Sequence, residues 1–238
     1  MARSRNPRSR HLSNGIEPFR LNSWTPVLGL LIMFTGLTGC EPIAVLDQPL
    51  ADARTARADD ELVGYWKQVP DEADASIHPV PATIGLDKNN PRLHEGVFME
   101  LEDDGKVKVR RLKIPTTRLT IPSSSSPLRL MTVAARDVEP EDKTAKGYLL
   151  LRYEIQAGQR LKIFLMDSLV IAEAIETKKL LGIARRAKLN ADGTKPKNKY
   201  DEIRITAKPA ELTAYLKKTG TACFDEKRLI EFQKIVTD

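Results

Sequence analysis

The sequence predicts an α+β domain that is mainly β, with an antiparallel sheet of about seven or eight strands that is strongly curved or closed into a small barrel. Three observations support this prediction. Residues 96–114 and 148–166 each contain two apolar segments separated by a turn. A third stretch, from Pro209, has the apolar spacing of a helix. We therefore expect a sheet accompanied by one mid-chain helix and by C-terminal helices.

The clearest hairpin covers residues 96–114. Its turn is predicted at Asp103-Asp104-Gly105, because an Asp-Gly pair readily adopts the positive φ angles of a tight turn. On the second arm, the alternation of apolar and basic residues slips at Arg110-Arg111, which predicts a β-bulge. The side chains expected to face the core are those of Val107, Val109, Leu112 and Ile114.

A second hairpin is predicted from Tyr148–Ile155 and Arg160–Met166, which are joined at Ala157-Gly158-Gln159. Both arms are apolar enough to lie centrally in the sheet. Residues 70–95 instead predict a long loop, because this stretch contains four prolines. Further strands are expected at residues 61–67, 128–135, 180–184 and 201–207, and we expect the last of these to be the final strand.

The mid-chain helix is expected to begin at Asp167 or Ser168, either of which is a suitable N-cap. Its predicted inner stripe consists of Leu169, Ala172 and Ile175. Pro209 is predicted at the first position of the next helix, and Gly220 at its end. A final helix is expected from about Asp225. Its apolar face would consist of Leu229, Phe232 and Val236.

The N-terminal region has the organisation of an export signal. Five arginines and one glutamate precede an uncharged stretch from Leu21 to Cys40. That stretch ends in Leu37-Thr38-Gly39-Cys40, which resembles the lipobox of bacterial lipoproteins. The resemblance implies cleavage before Cys40, diacylation of its thiol and acylation of the new amino terminus, which together anchor a protein stably in a membrane. We expect a signal peptide at 1–39, a lipidated, mobile tether at 40–60 and one domain at 61–238.

The same stretch has an alternative interpretation. Twenty uncharged residues are long enough to span a bilayer, which would make residues 21–40 a retained transmembrane helix. Pro26 and three glycines weaken such a helix. Both interpretations place the domain outside the cytoplasm. Because Glu41 rather than an aspartate follows the cysteine, the lipobox interpretation implies the outer membrane in an organism that has two.

The basic character of the chain comes largely from the segment that we expect to be removed. The whole chain has a net charge of +6 and residues 1–39 contribute +4, which leaves +2 for the remainder. This balance gives no reason to expect a nucleic-acid partner. Cys223 is the only cysteine after Cys40, so no disulfide is expected. A lone cysteine is more often a small buried apolar residue than a reactive thiol.

Residues 61–67 are expected to open the folded domain. Within them, Gly64-x-Trp66 resembles the opening motif of lipocalin-type barrels. The resemblance implies a small antiparallel barrel in which Trp66 closes one end and Gly64 permits the close approach of another segment. The alternative interpretation is an ordinary core tryptophan on a first strand.

The sequence contains no catalytic Gly-x-Ser-x-Gly motif and no phosphate-binding glycine loop. His78 and His94 lack further ligands at the spacing of a metal site, so neither a metal nor another cofactor is expected. We therefore predict a non-catalytic, membrane-anchored envelope lipoprotein that binds a small apolar ligand or docks an envelope partner. Two alternatives stay open. One is a subunit of an envelope assembly, held by an uncleaved N-terminal helix or contacted through the C-terminal helices. The other is an enzyme whose site forms only on folding, with Cys223, His78 and His94 as first candidates.

Overall fold

The computed structural model describes residues 42–70, 80–101, 106–122, 124–138, 145–157, 159–189, 194, 196 and 198–236. Several residues named above therefore lie outside the described part of the chain: the lipobox Leu37-Thr38-Gly39-Cys40, Glu41, His78, the turn at 103–105 and Gly158.

The described residues form eleven strands, three α-helices and two 3-10 turns. The strands are β1 (Val45–Leu46), β2 (Gly64–Gln68), β3 (Pro81–Leu86), β4 (Leu93–Leu101), β5 (Val107–Leu119), β6 (Leu128–Ala134), β7 (Tyr148–Gln156), β8 (Arg160–Met166), β9 (Gly182–Arg186), β10 (Tyr200–Ile205) and β11 (Phe224–Ile235). The helices are α1 (Ala135–Val138), α2 (Ser168–Glu176) and α3 (Pro209–Thr219), and the 3-10 turns are Asp60–Leu62 and Gly220–Cys223.

Eight strands close into an antiparallel barrel. Strands β2 to β8 are neighbours in chain order, and β11 closes the barrel by pairing with β8 on one side and β2 on the other. Closure pairs both edges of each barrel strand, which removes the free sheet edges that an open sheet exposes. The predicted mainly-β fold with a closed antiparallel sheet is confirmed.

Three further strands extend the sheet from β7. Strand β1 pairs with β7 at Leu46 and Tyr148 and runs parallel to β10, while β9 pairs with β10 and forms the end of the sheet. The extension and helices α2 and α3 pack on the outer wall of the barrel and create a second apolar core. Representative buried side chains of this core are Leu46, Leu130, Leu150, Phe164, Ile171, Ile203 and Leu216.

The predicted helix from about Asp225 is wrong, because residues 224–235 form β11. Leu229 and Phe232 lie on opposite faces of this strand, so Phe232 is buried while Leu229 is 37% exposed. Val236, just beyond the strand, is 69% exposed. The barrel requires an eighth strand between β8 and β2, and this tertiary hydrogen bonding overrides an apolar spacing that is also compatible with a helix.

Residues 42–60 are also not the expected mobile tether. Val45 and Leu46 pair with the extension of the sheet, and Ala51 and Ala56 are buried. The Asn90 side chain donates a hydrogen bond of 2.8 Å to the Ala53 carbonyl oxygen. Small alanine side chains are buried here without the periodicity that would reveal them in a sequence. The folded domain therefore includes residues 42–60 and does not begin at 61.

Both predicted hairpins are present, but the predicted bulge is not. Strands β4 and β5 keep a single register from Leu93 opposite Pro115 to Leu101 opposite Val107. Even-numbered residues of β5 therefore face inward. Leu112 and Ile114 are buried as predicted, whereas Val107 and Val109 are exposed, and Arg110 takes the inward position with a 3.0 Å hydrogen bond to the Val138 carbonyl oxygen.

The predicted loop at residues 70–95 is partly wrong, because β3 and the first residues of β4 lie within it. Pro81 is the first residue of β3, a position where proline is tolerated in a sheet. Strand β10 corresponds to the strand predicted at residues 201–207, but it is not the final strand of the domain.

The other helix predictions are largely confirmed. The Asp167 carboxylate accepts hydrogen bonds from the backbone N–H groups of Leu169 and Val170 at 2.9 and 3.0 Å, as an N-cap does. The buried face of α2 is rotated from the predicted stripe, because Ile171, Ala172 and Ala174 are buried and Leu169 is exposed. Helix α3 begins at Pro209 and ends before Gly220, as predicted.

Candidate binding site in the barrel

An apolar cavity lies inside the barrel, with a volume of about 70 Å³. A single water needs roughly 10–15 Å³ on the same measure and also needs polar partners. All the side chains that line this cavity are hydrophobic, so it offers water no hydrogen bonds. Representative lining residues are Trp66, Phe98, Val133, Leu149, Leu165 and Phe232. Such a cavity favours an apolar group over water.

Strand alternation places these side chains. Leu149 and Leu151 of β7 point into the cavity, while Leu150 between them belongs to the second core outside the barrel. Val138 reaches the cavity from α1, which follows β6. Alternate residues in the continuous apolar run of β7 therefore face the barrel cavity and the second core outside the barrel.

Gly64 and Trp66 lie at the start of β2, next to the 3-10 turn Asp60–Leu62. The Trp66 indole is completely buried, lines the cavity and donates a hydrogen bond of 2.8 Å to the Leu62 carbonyl oxygen. Gly64 has φ +152°, and a Cβ there would lie 2.5 Å from Cε of Lys234. The Lys234 ammonium in turn lies 5.2 Å from the centroid of the Trp66 ring. The glycine thus permits β11 to bring a cation against the tryptophan.

A buried polar cluster lies beside Trp66 and holds the 3-10 turn in place. Its centre is Asp59, which is 1% exposed. The Asp59 carboxylate accepts a hydrogen bond of 2.7 Å from the Tyr153 hydroxyl and pairs with Arg118 at 2.7 Å and Arg129 at 3.6 Å. Asp59 therefore connects the segment that precedes β2 to β5, β6 and β7.

The electrostatics of this cluster favour an ionised aspartate beside a neutral tyrosine. Burial by itself raises the pKa of Asp59, but the hydrogen bonds from Tyr153 and Arg118 and the charge of Arg129 outweigh burial and lower it. Burial and the neighbouring carboxylate raise the pKa of Tyr153. No local sequence motif marks this cluster, because the register of separate strands brings its members together.

His94 belongs to the same cluster and not to a loop. It is fully buried on β4, where its Nε2 lies 3.2 Å from the backbone N and 3.1 Å from the backbone O of Asp59. Either neutral tautomer therefore has a partner at Nε2. Burial lowers the pKa of His94, although the nearby Asp59 partly offsets that effect.

The buried histidine predicts a pH dependence of stability. Below pH 6.5, the ordinary pKa of histidine, His94 binds a proton more readily in the unfolded state than in the folded state, because folding lowers its pKa. The free energy of unfolding should therefore fall as the pH is lowered. We expect the free energy of unfolding, measured in urea, to be about 1 kcal/mol lower at about pH 5.5 than at about pH 7.5. The Asp59 carboxylate does not contribute in this window, because its ordinary pKa of 3.8 is lowered further by folding.

His94→Gln should remove this dependence, and His78→Gln is the matched control that should retain it. An unchanged pH dependence in His94→Gln would contradict the assignment.

Of the three residues suspected of catalysis, the two that the structure describes, Cys223 and His94, do not meet in one site. Cys223 is completely buried in the second core, and burial raises the pKa of its thiol to about 11. The thiol is therefore protonated, and it lies 3.3 Å from the Gly220 carbonyl oxygen. His94 instead belongs to the cluster around Asp59, at the end of the barrel interior. Among the described residues, no three metal-binding side chains gather at one point.

Within the described ranges, no helix has both the length and the apolar character needed to cross a bilayer. The chain matches no known protein family, no characterised protein and no solved structure. The fold and the site nevertheless define a class: a closed, eight-stranded antiparallel barrel with an apolar interior, which is compatible with a lipocalin-like barrel.

Proposed function

We propose that this protein is an exported lipoprotein of the cell envelope, anchored through acyl chains on Cys40, whose barrel binds a small apolar ligand without catalysis. The observation that carries the ligand proposal is the cavity inside the closed barrel, which is lined entirely by hydrophobic side chains. The anchor proposal rests on Leu37-Thr38-Gly39-Cys40 and the uncharged stretch before it.

The size of the cavity limits the ligand. A cavity of about 70 Å³ is roughly half the size of an engineered cavity of about 150 Å³ that accepts benzene. It therefore holds a group of a few carbon atoms. Each buried methylene contributes about 0.8 kcal/mol, so such a group alone gives weak binding. We infer that the small ligand carries a linear hydrocarbon tail, of which only the end enters the cavity.

Docking of an envelope protein is a second candidate function. The specific observation that favours it is a row of exposed apolar side chains on the outer face of β4 and β5, where Met99 lies directly opposite Val109. Met99, Val107 and Val109 are 39%, 61% and 53% exposed. The C-terminal stripe of Leu229, Phe232 and Val236 gives no support for docking, because Phe232 is buried on the face of β11 opposite Leu229.

Ligand binding can be tested with Trp66 as the reporter. In a Trp24→Phe background, Trp66 is the sole tryptophan of the chain, and it lines the cavity. We expect short brominated alkanols to quench its fluorescence saturably, because bromine quenches on contact. Val133→Phe fills the cavity and should weaken this binding at least tenfold, or by about 1.4 kcal/mol.

The matched control is Val109→Phe, which makes the same change on the outer face and should leave quenching unaltered. Circular dichroism verifies that each variant keeps its barrel. Absence of saturable quenching in the folded Trp24→Phe parent, or equal quenching of the Val133→Phe variant, would refute the ligand proposal and favour docking.

A further inference from the structure

Positive charge is concentrated at the end of the sheet extension. Residues 177–189, which contain β9 and its flanks, include five basic residues and no acidic residue. Residues 40–238 have a net charge of +2, so the part of them outside this segment is −3. Strand β9 is the last strand of the extension and pairs only with β10 among the described strands.

Three of these cations have no counterion in the described part of the chain. Arg185 pairs with Glu202 at 3.0 Å, and Arg186 pairs with Glu176 at 2.8 Å. The other three are exposed lysines for which the described residues supply no carboxylate within ion-pair distance: Lys178, Lys179 and Lys188.

Strand β5 is similarly basic, but its charges are used differently. Arg111 pairs with Glu95, Lys113 with Asp87, and Arg118 with Asp59. Those pairs stabilise the barrel internally. The lysines around β9 have no comparable structural role.

Exposed aliphatic side chains accompany the lysines. Leu181, Ile183 and Leu189 are 57%, 44% and 64% exposed. Ile183 lies on the face of β9 opposite Gly182, and Leu181 immediately precedes the strand. The opposite face is covered by α2, because a Cβ on Gly182 would lie 2.6 Å from Cδ1 of Ile175. We call the surface formed by Lys178, Lys179, Leu181, Ile183, Lys188 and Leu189 the basic edge.

The start of the described chain lies next to the basic edge. Val45 of β1 pairs with Arg204 of β10, and Arg204 pairs with Ile183 of β9. Two strand spacings, or roughly 10 Å, therefore separate Val45 from Ile183. Cys40 is only two residues before Pro42, a distance of at most roughly 7 Å. Acyl chains on Cys40 would hold this side of the domain close to the membrane.

We propose that the basic edge binds anionic lipid headgroups of the membrane that anchors Cys40. The lysines contact the lipid phosphates, and the three aliphatic side chains lie at the interface between headgroups and hydrocarbon. This inference rests on the proposed anchor but not on the proposed ligand site. One lysine near an anionic bilayer raises the ratio of docked to undocked protein about fivefold, so three lysines raise that ratio about a hundredfold.

The test uses the full chain as processed by a producing cell and reconstituted into vesicles. The vesicles contain phosphatidylcholine alone or mixed with phosphatidylglycerol, with a spin-labelled lipid as quencher. Leu189→Cys carries a fluorescent thiol label, because Cys223 is buried with a thiol pKa of about 11 and an acylated Cys40 does not react. Leu86→Cys is the matched control: it is 43% exposed on β3, four strands from β7 around the barrel.

In anionic vesicles we expect the label at 189 to be quenched and the label at 86 to remain unquenched. In neutral vesicles we expect neither label to be quenched. Quenching should decline as salt rises from about 0.1 M to about 1 M, over which the screening length falls from about 10 Å to about 3 Å. The triple variant Lys178→Gln, Lys179→Gln, Lys188→Gln should lower the ratio of docked to undocked protein about a hundredfold. Lys67→Gln, Lys88→Gln, Lys227→Gln makes the same charge change on other exposed surfaces and should retain quenching.

The proposal would be overturned by equal quenching of the labels at 189 and 86. It would also be overturned if the label at 189 were quenched equally in neutral and anionic vesicles. Shielding of the 189 label by a soluble acidic polypeptide but not by anionic vesicles would overturn it in favour of a protein partner. If the proposed anchor is wrong and Cys40 is not acylated, the result is distinguishable. Cys40 would then take up the label, and the protein would lack acyl mass.

Discussion

Replacing Asp59 by alanine should lower the free energy of unfolding by about 3–5 kcal/mol, because it removes one partner of a buried charge network. The two arginines and the tyrosine that face the carboxylate would lose their common partner. The 3-10 turn beside Trp66 would also lose its connection to β5, β6 and β7. Equilibrium unfolding in urea measures this change.

Two further variants make the Asp59 prediction specific. Asp201→Ala removes an exposed carboxylate on β10 and should change stability by less than about 0.5 kcal/mol. Asp59→Asn preserves the shape of the side chain and one acceptor for the Tyr153 hydroxyl. Its loss of unfolding free energy should therefore lie between those of Asp201→Ala and Asp59→Ala. A loss below about 1 kcal/mol in Asp59→Ala would show that the cluster does not hold the end of the barrel.

Replacing Cys40 by alanine should abolish anchoring through acyl chains. The lipobox interpretation predicts that the native protein extracted from membranes lacks residues 1–39 and carries added acyl mass. Both features should be absent in Cys40→Ala, because the substitution removes the thiol that the lipobox interpretation acylates. Intact mass of the two proteins measures the change. Cys223→Ala is the matched control, because that thiol is buried and should not affect processing.

The alternative interpretation gives a different mass. An unmodified, full-length native chain would rule out the lipobox interpretation and would make residues 21–40 a retained membrane helix. Cys40 would then be an ordinary cysteine, and the basic edge would be held near the bilayer by a helix rather than by lipid. The ligand proposal would be unaffected, because the cavity depends only on residues of the barrel.

The pH behaviour of the cluster should be separable from its charge pairing. His94 and Asp59 touch, yet they titrate in different ranges, because folding lowers both pKa values from ordinary values of 6.5 and 3.8. Mild acid should therefore weaken the domain through the histidine while the carboxylate network remains ionised. The network is lost only when the pH falls through the lowered pKa of Asp59.

The sequence by itself determined the features that depend on local chemistry. Asp167 caps α2, and Pro209 and Gly220 delimit α3, because capping and fixed φ angles act within a few residues. The two hairpins were predictable because apolar segments of strand length flank a local turn sequence, Asp103-Asp104-Gly105 in one and Ala157-Gly158-Gln159 in the other. The resemblance of Gly64-x-Trp66 to the lipocalin-type opening motif suggested Trp66 as a residue of a barrel, and the structure places it against the barrel cavity.

Tertiary structure decided the features that depend on register and closure. Val109 faces outward and Arg110 inward because pairing with β4 fixes one register along β5, and a one-residue shift exchanges the two faces of a strand. Residues 224–235 form a strand because the open edges of β2 and β8 require a partner. The cluster of Asp59, His94 and Tyr153 spans almost a hundred residues of chain, so only the closed barrel brings its members within hydrogen-bond distance.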